Sequence, residues 1–151
     1  MKTTYYTQGI YKVINQYKYK GSLPVIYRSR AELLLMRWFD IKNNIIEWTS
    51  ESVVIPYIKP TDGRMHRYFI DFSCKFKNPD NTTTKYIIEY KPFKQTQQPL
   101  KTTKKSERSF LIEQMTFAIN RAKWQSAEDY ARHQGMKFII VTERELNQFS
   151  A

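Results

Sequence analysis

The sequence predicts an α/β domain: a mixed β-sheet of antiparallel hairpin strands plus one parallel strand, flanked by helices. Three observations carry this. Periodic segments run in the order helix, three strands, helix, strand. The cluster Asn78-Pro79-Asp80-Asn81 is a turn between two strand-like runs and so makes them an antiparallel hairpin. The last apolar run is entered from a helix, and such a strand usually joins its sheet in parallel.

Each element has its own justification. Residues 1–26 are basic and tyrosine-rich, with Tyr5, Tyr6, Tyr11, Tyr17 and Tyr19 among Lys2, Lys12, Lys18 and Lys20. Their poor periodicity predicts an extended arm ahead of a domain over residues 27–151. Two roles stand for the arm: tracking a phosphate backbone and stacking on bases, or lying over the body with its tyrosines as packing. Ser29 to Asp40 reads as a helix, because Ala31, Leu34, Leu35 and Trp38 make one apolar stripe. Ser29 is its N-cap and Glu32, three residues on, completes a capping box. Ile45–Trp48 and Val53–Ile58 read as a first strand, interrupted at Ser50 and Pro56. Pro60-Thr61-Asp62-Gly63 is a turn. Arg67–Lys77 reads as the second strand and Thr84–Lys91 as the third.

Pro92–Ser106 is a polar, lysine- and glutamine-rich loop, longer than most connections inside a compact domain. Leu111, Met115, Ala118, Ala122, Ala127, Tyr130 and Ala131 recur at helical spacing across Glu107–Gln134, with a break expected near Asn120. Gly135 fits the position just past the helix end. Lys137–Val141 is a buried strand, and a short polar tail follows.

Composition narrows the function. A chain of 151 residues fits one domain. The single cysteine, Cys74, excludes an internal disulfide and suits a reducing compartment; it reads as a small core residue. The opening residues lack the apolar core of a signal peptide, and no apolar run approaches the ~20 residues of a membrane span. The expectation is a soluble, intracellular protein with no membrane partner. The glycines at 9, 21, 63 and 135 make no phosphate-binding loop, which argues against a nucleotide. His66 and His133 have no partner at metal-ligand spacing and read as surface residues. Trp38, Trp48 and Trp124 read as core. Lysine and arginine total 25 against 14 acids, a net charge of +11. Such a balance favours nucleic acid first and anionic membrane second. Residues 1–31 and 90–106 contain no acid at all, so the carboxylates that sit inside apolar strands stand out.

Two of these lie in the hairpin. Asp71 and Glu89 are equally distant in sequence from Asp80 at the turn centre. If the strands pair about that centre, the two side chains oppose each other with Cβ atoms roughly 4.5–5.5 Å apart. Among Phe69, Phe72, Ile87 and Ile88 they repel each other and suffer desolvation. A shared proton or a divalent cation is the usual remedy, and oxygen-only ligands suit magnesium or manganese better than zinc. Lys91 follows Glu89 by two residues and so leaves the same face, with Phe69 opposite it. Two acids and an ammonium on one face are the equipment for metal-assisted phosphodiester hydrolysis. The alternative is a pair of edge-strand acids matched with lysines, since a one-residue slip in register would break the opposition. Glu32 is a third acid, for which the residues alone favour capping.

Asp71, seventeen residues, then Glu89-Tyr90-Lys91 resembles the PD-(D/E)xK nuclease signature, with Ile70 where the superfamily name has proline. More specifically, Y-R-S-R-A-E, I-I-E-W-T-S-E-S-V-V-I-P-Y, R-Y-F-I-D-F, I-I-E-Y-K-P and M-K-F-I-I-V-T-E resemble the head-completion nucleases of large contractile-tailed phages. The similarity extends to the TnsA-like nuclease subunit of a transposase and covers about Tyr27 to Leu146. This resemblance implies a restriction-endonuclease-like core. It implies Asp71 and Glu89 as metal-binding acids, Lys91 as catalytic lysine, Glu32 as a helix acid reaching the metal, and the Tyr90 carbonyl as a main-chain ligand.

The expected function is a magnesium-dependent DNA endonuclease, with manganese as a substitute, acting in the host cytoplasm during phage assembly or at the head vertex. The resemblance implies products with a 5′-phosphate and a 3′-hydroxyl. Lys94, Lys101, Lys104 and Lys105, with Arg108, Arg28 and Arg30, are the candidate DNA contacts. For the loop lysines a merely solvated face is the alternative. Phosphate contacts position DNA without reading it, so low sequence specificity is expected. The rival reading is a non-enzymatic assembly factor that holds the packaged DNA end, or portal or neck proteins, through its basic surface.

Overall fold

The computed structural model describes residues 8–149. Lys2, Tyr5 and Tyr6 lie outside the described residues. Short strands β1 (Gly9–Tyr11) and β2 (Val25–Tyr27) pair antiparallel ahead of helix α1 (Arg30–Ile41). Then come β3 (Ile45–Ser50), β4 (Val54–Ile58), β5 (Met65–Phe69), β6 (Phe72–Lys77) and β7 (Thr83–Tyr90). Helix α2 (Glu107–His133), β8 (Lys137–Val141) and helix α3 (Glu143–Leu146) complete the order.

The main sheet has the order β3-β6-β7-β8, antiparallel except for the β7–β8 pair, which is parallel. The mixed sheet read from the sequence is therefore present, and so is the parallel final strand. The hairpin register is also as expected. Six pairs run from Phe72↔Ile88 to Lys77↔Thr83, all centred on Asp80. The turn is closed by the Asn78 N–H on the Thr82 carbonyl at 2.8 Å and by Asn81 with φ 69°, a conformation asparagine tolerates.

Two helices cover the sheet. Ile87 and Ile88 point to opposite faces. Ile88 joins Phe72, Cys74, Trp48 and Val141 against Leu35, Met36 and Phe39 of α1. Ile87 joins Ile55, Tyr68 and Ile70 against Trp124, Ala127 and Ala131 of α2. Trp48 and Trp124 are core residues, as expected, and Trp38 packs at its margin. Burial pushes the Cys74 thiol up to about 12, which keeps it neutral and inert.

Five expectations are corrected. Residues 45–58 are two strands in different sheets, and so are residues 67–77. β4 and β5 form their own two-stranded ribbon, and the chain crosses into the main sheet between Phe69 and Phe72. Phe69 consequently pairs with Val54 rather than facing Lys91. Helix α2 is unbroken at Asn120, because that side chain is buried within the packing face with Trp124, Ala127 and Ala131. In α1 the buried residues are Ala31, Leu35, Met36, Phe39 and Asp40; Leu34 and Trp38 are only half-buried. A helix with apolar residues nearly all round gives its phase poorly from sequence alone. The 92–106 loop contains a 3-10 turn at Phe93–Thr96.

Residues 8–27 lie on the body. Tyr11 and Val25 enter the α1-side core. Asp40, with no exposed surface, accepts hydrogen bonds from the Tyr11 hydroxyl (2.7 Å) and the Ile14 and Asn15 N–H groups (2.7 and 2.9 Å). The buried Lys18 ammonium donates to the Phe39, Asp40 and Lys42 carbonyls (3.2, 2.9 and 2.6 Å). It thus satisfies the open carbonyls at the C-terminus of α1, where a cation is also favoured by the helix dipole. Among the described residues no helix is long and apolar enough to cross a membrane.

Candidate active site

Asp71 sits at the fork where the chain leaves the ribbon for the main sheet. On the ribbon side the Ile70 N–H bonds the Val53 carbonyl (3.0 Å), and the Asp71 carbonyl accepts the Glu51 N–H (3.0 Å). On the sheet side Asp71 occupies the position next beyond Phe72↔Ile88, opposite Glu89 in the register. Its Oδ2 accepts the Tyr90 N–H at 2.9 Å, which ties the carboxylate across to the facing strand.

Glu89 leaves β7 on the α2 side, the face of Ile87, and only 7% of it is exposed. Its Oε1 lies 3.8 Å from Lys91 Nζ, so the two-residue spacing does place them together. Its Oε2 is buried without a hydrogen-bond partner. The Tyr68 hydroxyl is also buried and unpartnered. It stands near enough to Glu89 for each to shift the other's ionisation, though its geometry falls short of a hydrogen bond. Lys91 is held by its own N–H on the Val141 carbonyl (3.0 Å), a bond that β8 supplies.

Asp71 is pushed up to about 8, and Glu89 is raised above its ordinary value. For Asp71 the main cause is burial, followed by the charge of Glu89; the Tyr90 N–H and Lys91 oppose the rise. For Glu89 burial again leads, against Tyr68 and Lys91. Two like charges held together in a dry setting are what a cation would relieve. The unsatisfied Glu89 oxygen and the all-oxygen donor set fit a hard divalent cation such as magnesium or manganese. Among the described residues no group of three acids, histidines or cysteines is clustered tightly enough to hold a metal alone. Magnesium commonly takes only one or two carboxylates and fills its remaining positions with water and phosphate oxygens.

Glu32 is both a cap and an electrostatic member of the site. Its N–H bonds Ser29 Oγ (3.1 Å), while its Oε2 accepts the Arg28 N–H (2.7 Å) rather than that of the N-cap residue. Burial raises its pKa, with Glu51 adding to the rise, and its charge contributes to the shift of Asp71. Arg28 forms an ion pair with Glu51. Glu51 has φ 53°, uncommon for a residue with a side chain. The Tyr90 side chain packs on the α1-side core.

The basic candidates divide into two groups. Lys94, Lys104, Arg30 and Arg108 are exposed. Lys101 donates to the Thr102 carbonyl (3.1 Å), and Lys105 joins Glu113 (2.8 Å) and the Leu100 carbonyl (2.7 Å), so both brace the loop.

Sequence reasoning did not single out Tyr68 or Lys123, whose ammonium lies 5.5 Å from the centre of the Tyr68 ring. Lys123 is three residues after Asn120 and four before Ala127, on the packing face of α2. A lysine on the buried face of an amphipathic helix was the available signal.

Comparison with known proteins places the same residues in context. Residues 42–143 match the family described as TnsA-like endonuclease N terminal, a span that includes Asp71, Glu89 and Lys91 but not Glu32. The chain is also similar to the head completion nuclease of Enterobacteria phage T4. The two are 38% identical over 130 residues, covering 83% of this chain and 84% of that protein. No solved structure matches the chain.

Proposed function

We propose, for a chain that belongs to the TnsA-like endonuclease N-terminal family, a divalent-metal-dependent DNA endonuclease acting in phage head completion. A nuclease role in head completion follows from that family together with the similarity to the phage nuclease. The restriction-endonuclease-like α/β architecture accords with it. The observation that carries the reading to Asp71, Glu89 and Lys91 is the buried carboxylate pair with its unsatisfied oxygen and adjacent ammonium.

Asp71 and Glu89 would hold the cation, with Glu32 and the Tyr90 carbonyl as further donors. When bound, the cation lowers the pKa of a water and polarises the phosphate. The chain's own residues do the rest. The Tyr90 N–H fixes the orientation of Asp71. Ile70, Ile87 and Trp124 exclude water around the acids, which strengthens electrostatic effects there. The Lys91 ammonium offsets charge that builds on the phosphate oxygens as the bond to the 3′ oxygen breaks. Lys94, Lys104, Arg30 and Arg108 supply phosphate contacts that position DNA with little sequence preference. Magnesium is the expected ion, with manganese as a substitute. The host cytoplasm during assembly, or the head vertex, is the place of action, with portal or neck proteins as neighbours.

Nicking of supercoiled plasmid in magnesium, in manganese and in chelator tests this. Wild type should cleave only with metal, and Asp71→Ala and Lys91→Ala should each lose at least about a hundredfold in rate. Wild type that binds DNA but never cleaves would shift the reading to a DNA-holding assembly factor.

A further inference from the structure

With a divalent cation bound, charge around Asp71 and Glu89 would not balance. Asp71 and Glu89 contribute two negative charges, which a divalent cation would cancel. Lys91 is already present as one cation, and helix α2 delivers another. Lys123 Nζ stands 5.5 Å from the centre of the Tyr68 ring and 5.7 Å from that of Tyr57. Two aromatic faces therefore hold the ammonium, an arrangement that favours a cation without neutralising it. Among the described residues no carboxylate lies within ion-pair distance of Lys123. Tyr68 is the same side chain whose hydroxyl adjoins Glu89, so one ring connects the second lysine to the acid.

We propose that Lys123 is a second lysine of the active site and holds a DNA phosphate beside Lys91, approaching from the α2 side. Among the described residues, Lys91 has Glu89 within 3.8 Å, whereas Lys123 has two aromatic rings and no paired carboxylate, which leaves its charge open to an incoming anion. Burial first, then the charges of Lys91 and Lys59, lower the pKa of Lys123, while Glu89 and Asp71 pull the other way. Once the acids are committed to a metal, the charges of the two lysines are left unanswered, and a phosphodiester is the anion of the right class. The tyrosine rings fix the direction of a side chain that is otherwise flexible, reducing the entropy lost when phosphate binds. The inference rests on the nuclease reading.

The test uses the full chain as wild type, Lys123→Met, Lys123→Gln and Lys123→Arg. Methionine keeps the apolar stem and removes the charge; glutamine serves if methionine disturbs folding. Binding of a dye-labelled duplex is followed by anisotropy across a salt series in calcium. Cleavage in magnesium is then followed against DNA concentration. Each phosphate neutralised contributes about 0.9 to the slope of log K against log salt. Met and Gln should therefore lower the slope by about 0.9 and raise KM about tenfold at low salt. Arg should restore both. A Met or Gln variant that keeps the wild-type slope overturns the proposal, even if its stability falls, because packing alone does not change the number of phosphates bound. Wild type that fails to cleave would instead remove the nuclease reading, and the slope comparison would still decide whether Lys123 contacts phosphate.

Discussion

An aspartate buried against a second acid is a source of instability until something neutralises it. Replacing Asp71 by asparagine keeps an oxygen for the Tyr90 N–H and deletes the repulsion with Glu89 and Glu32. In chelator at neutral pH, Asp71→Asn should be more stable than wild type by about 1–3 kcal/mol. For a chain of this size that is roughly 2–4 °C in Tm per kcal/mol. Calorimetry or thermal denaturation followed by circular dichroism reads it directly, and a lower Tm would mean the acids are not in conflict. Cleavage should be lost in the same variant. At this scale much was legible. Strand period two set Glu89 and Lys91 on one face, and the turn centre at Asp80 set Asp71 opposite Glu89. Lys123 was not legible, because only the docking of α2 on the ribbon brings it within reach of residues over thirty positions earlier.

Elements follow the same division between local and distant causes. Helix α2 ends as Gly135 in the sequence suggests. With φ 70°, Gly135 donates to the Arg132 carbonyl (3.4 Å), and the Met136 N–H reaches the Ala131 carbonyl at 2.8 Å. A Cβ at Gly135 would meet open space, so Gly135→Ala tests backbone conformation alone. It should cost about 1 kcal/mol in urea unfolding; no loss would show that the helix end relaxes out of the left-handed region. What the sequence concealed was the division of residues 67–77. Tyr68, Ile70, Phe72 and Cys74 keep an unbroken alternation, yet the first two pack under α2 and the last two under α1. Periodicity records that a residue is buried, not which layer buries it, so the crossing at Asp71 left no trace in the pattern.

For the whole molecule, the energetics of the site should couple to those of the fold. A ligand that binds only the folded chain stabilises it by an amount that grows with concentration, about 2.7 kcal/mol at a hundred times Kd. Magnesium should therefore raise the Tm of wild type progressively. In Glu89→Gln, with one donor charge gone, the rise should largely vanish. An equal rise in both proteins would place the ion elsewhere. The net charge of +11 was the sequence feature that pointed to DNA at this scale. What it could not show was that Lys18 caps the first helix and that Lys101 and Lys105 brace a loop.

The bond from Lys91 to Val141 has a consequence for the order of events in synthesis. The acidic hairpin is local in sequence and can close within microseconds. The strand that holds Lys91 comes some fifty residues later and pairs in parallel, which is a slow, long-range step. A nascent or clipped chain ending before Lys137 would carry both acids but lack the strand that fixes its lysine. On the proposed reading, hydrolytic competence would therefore come only when β8 has docked, after both acids are already in place.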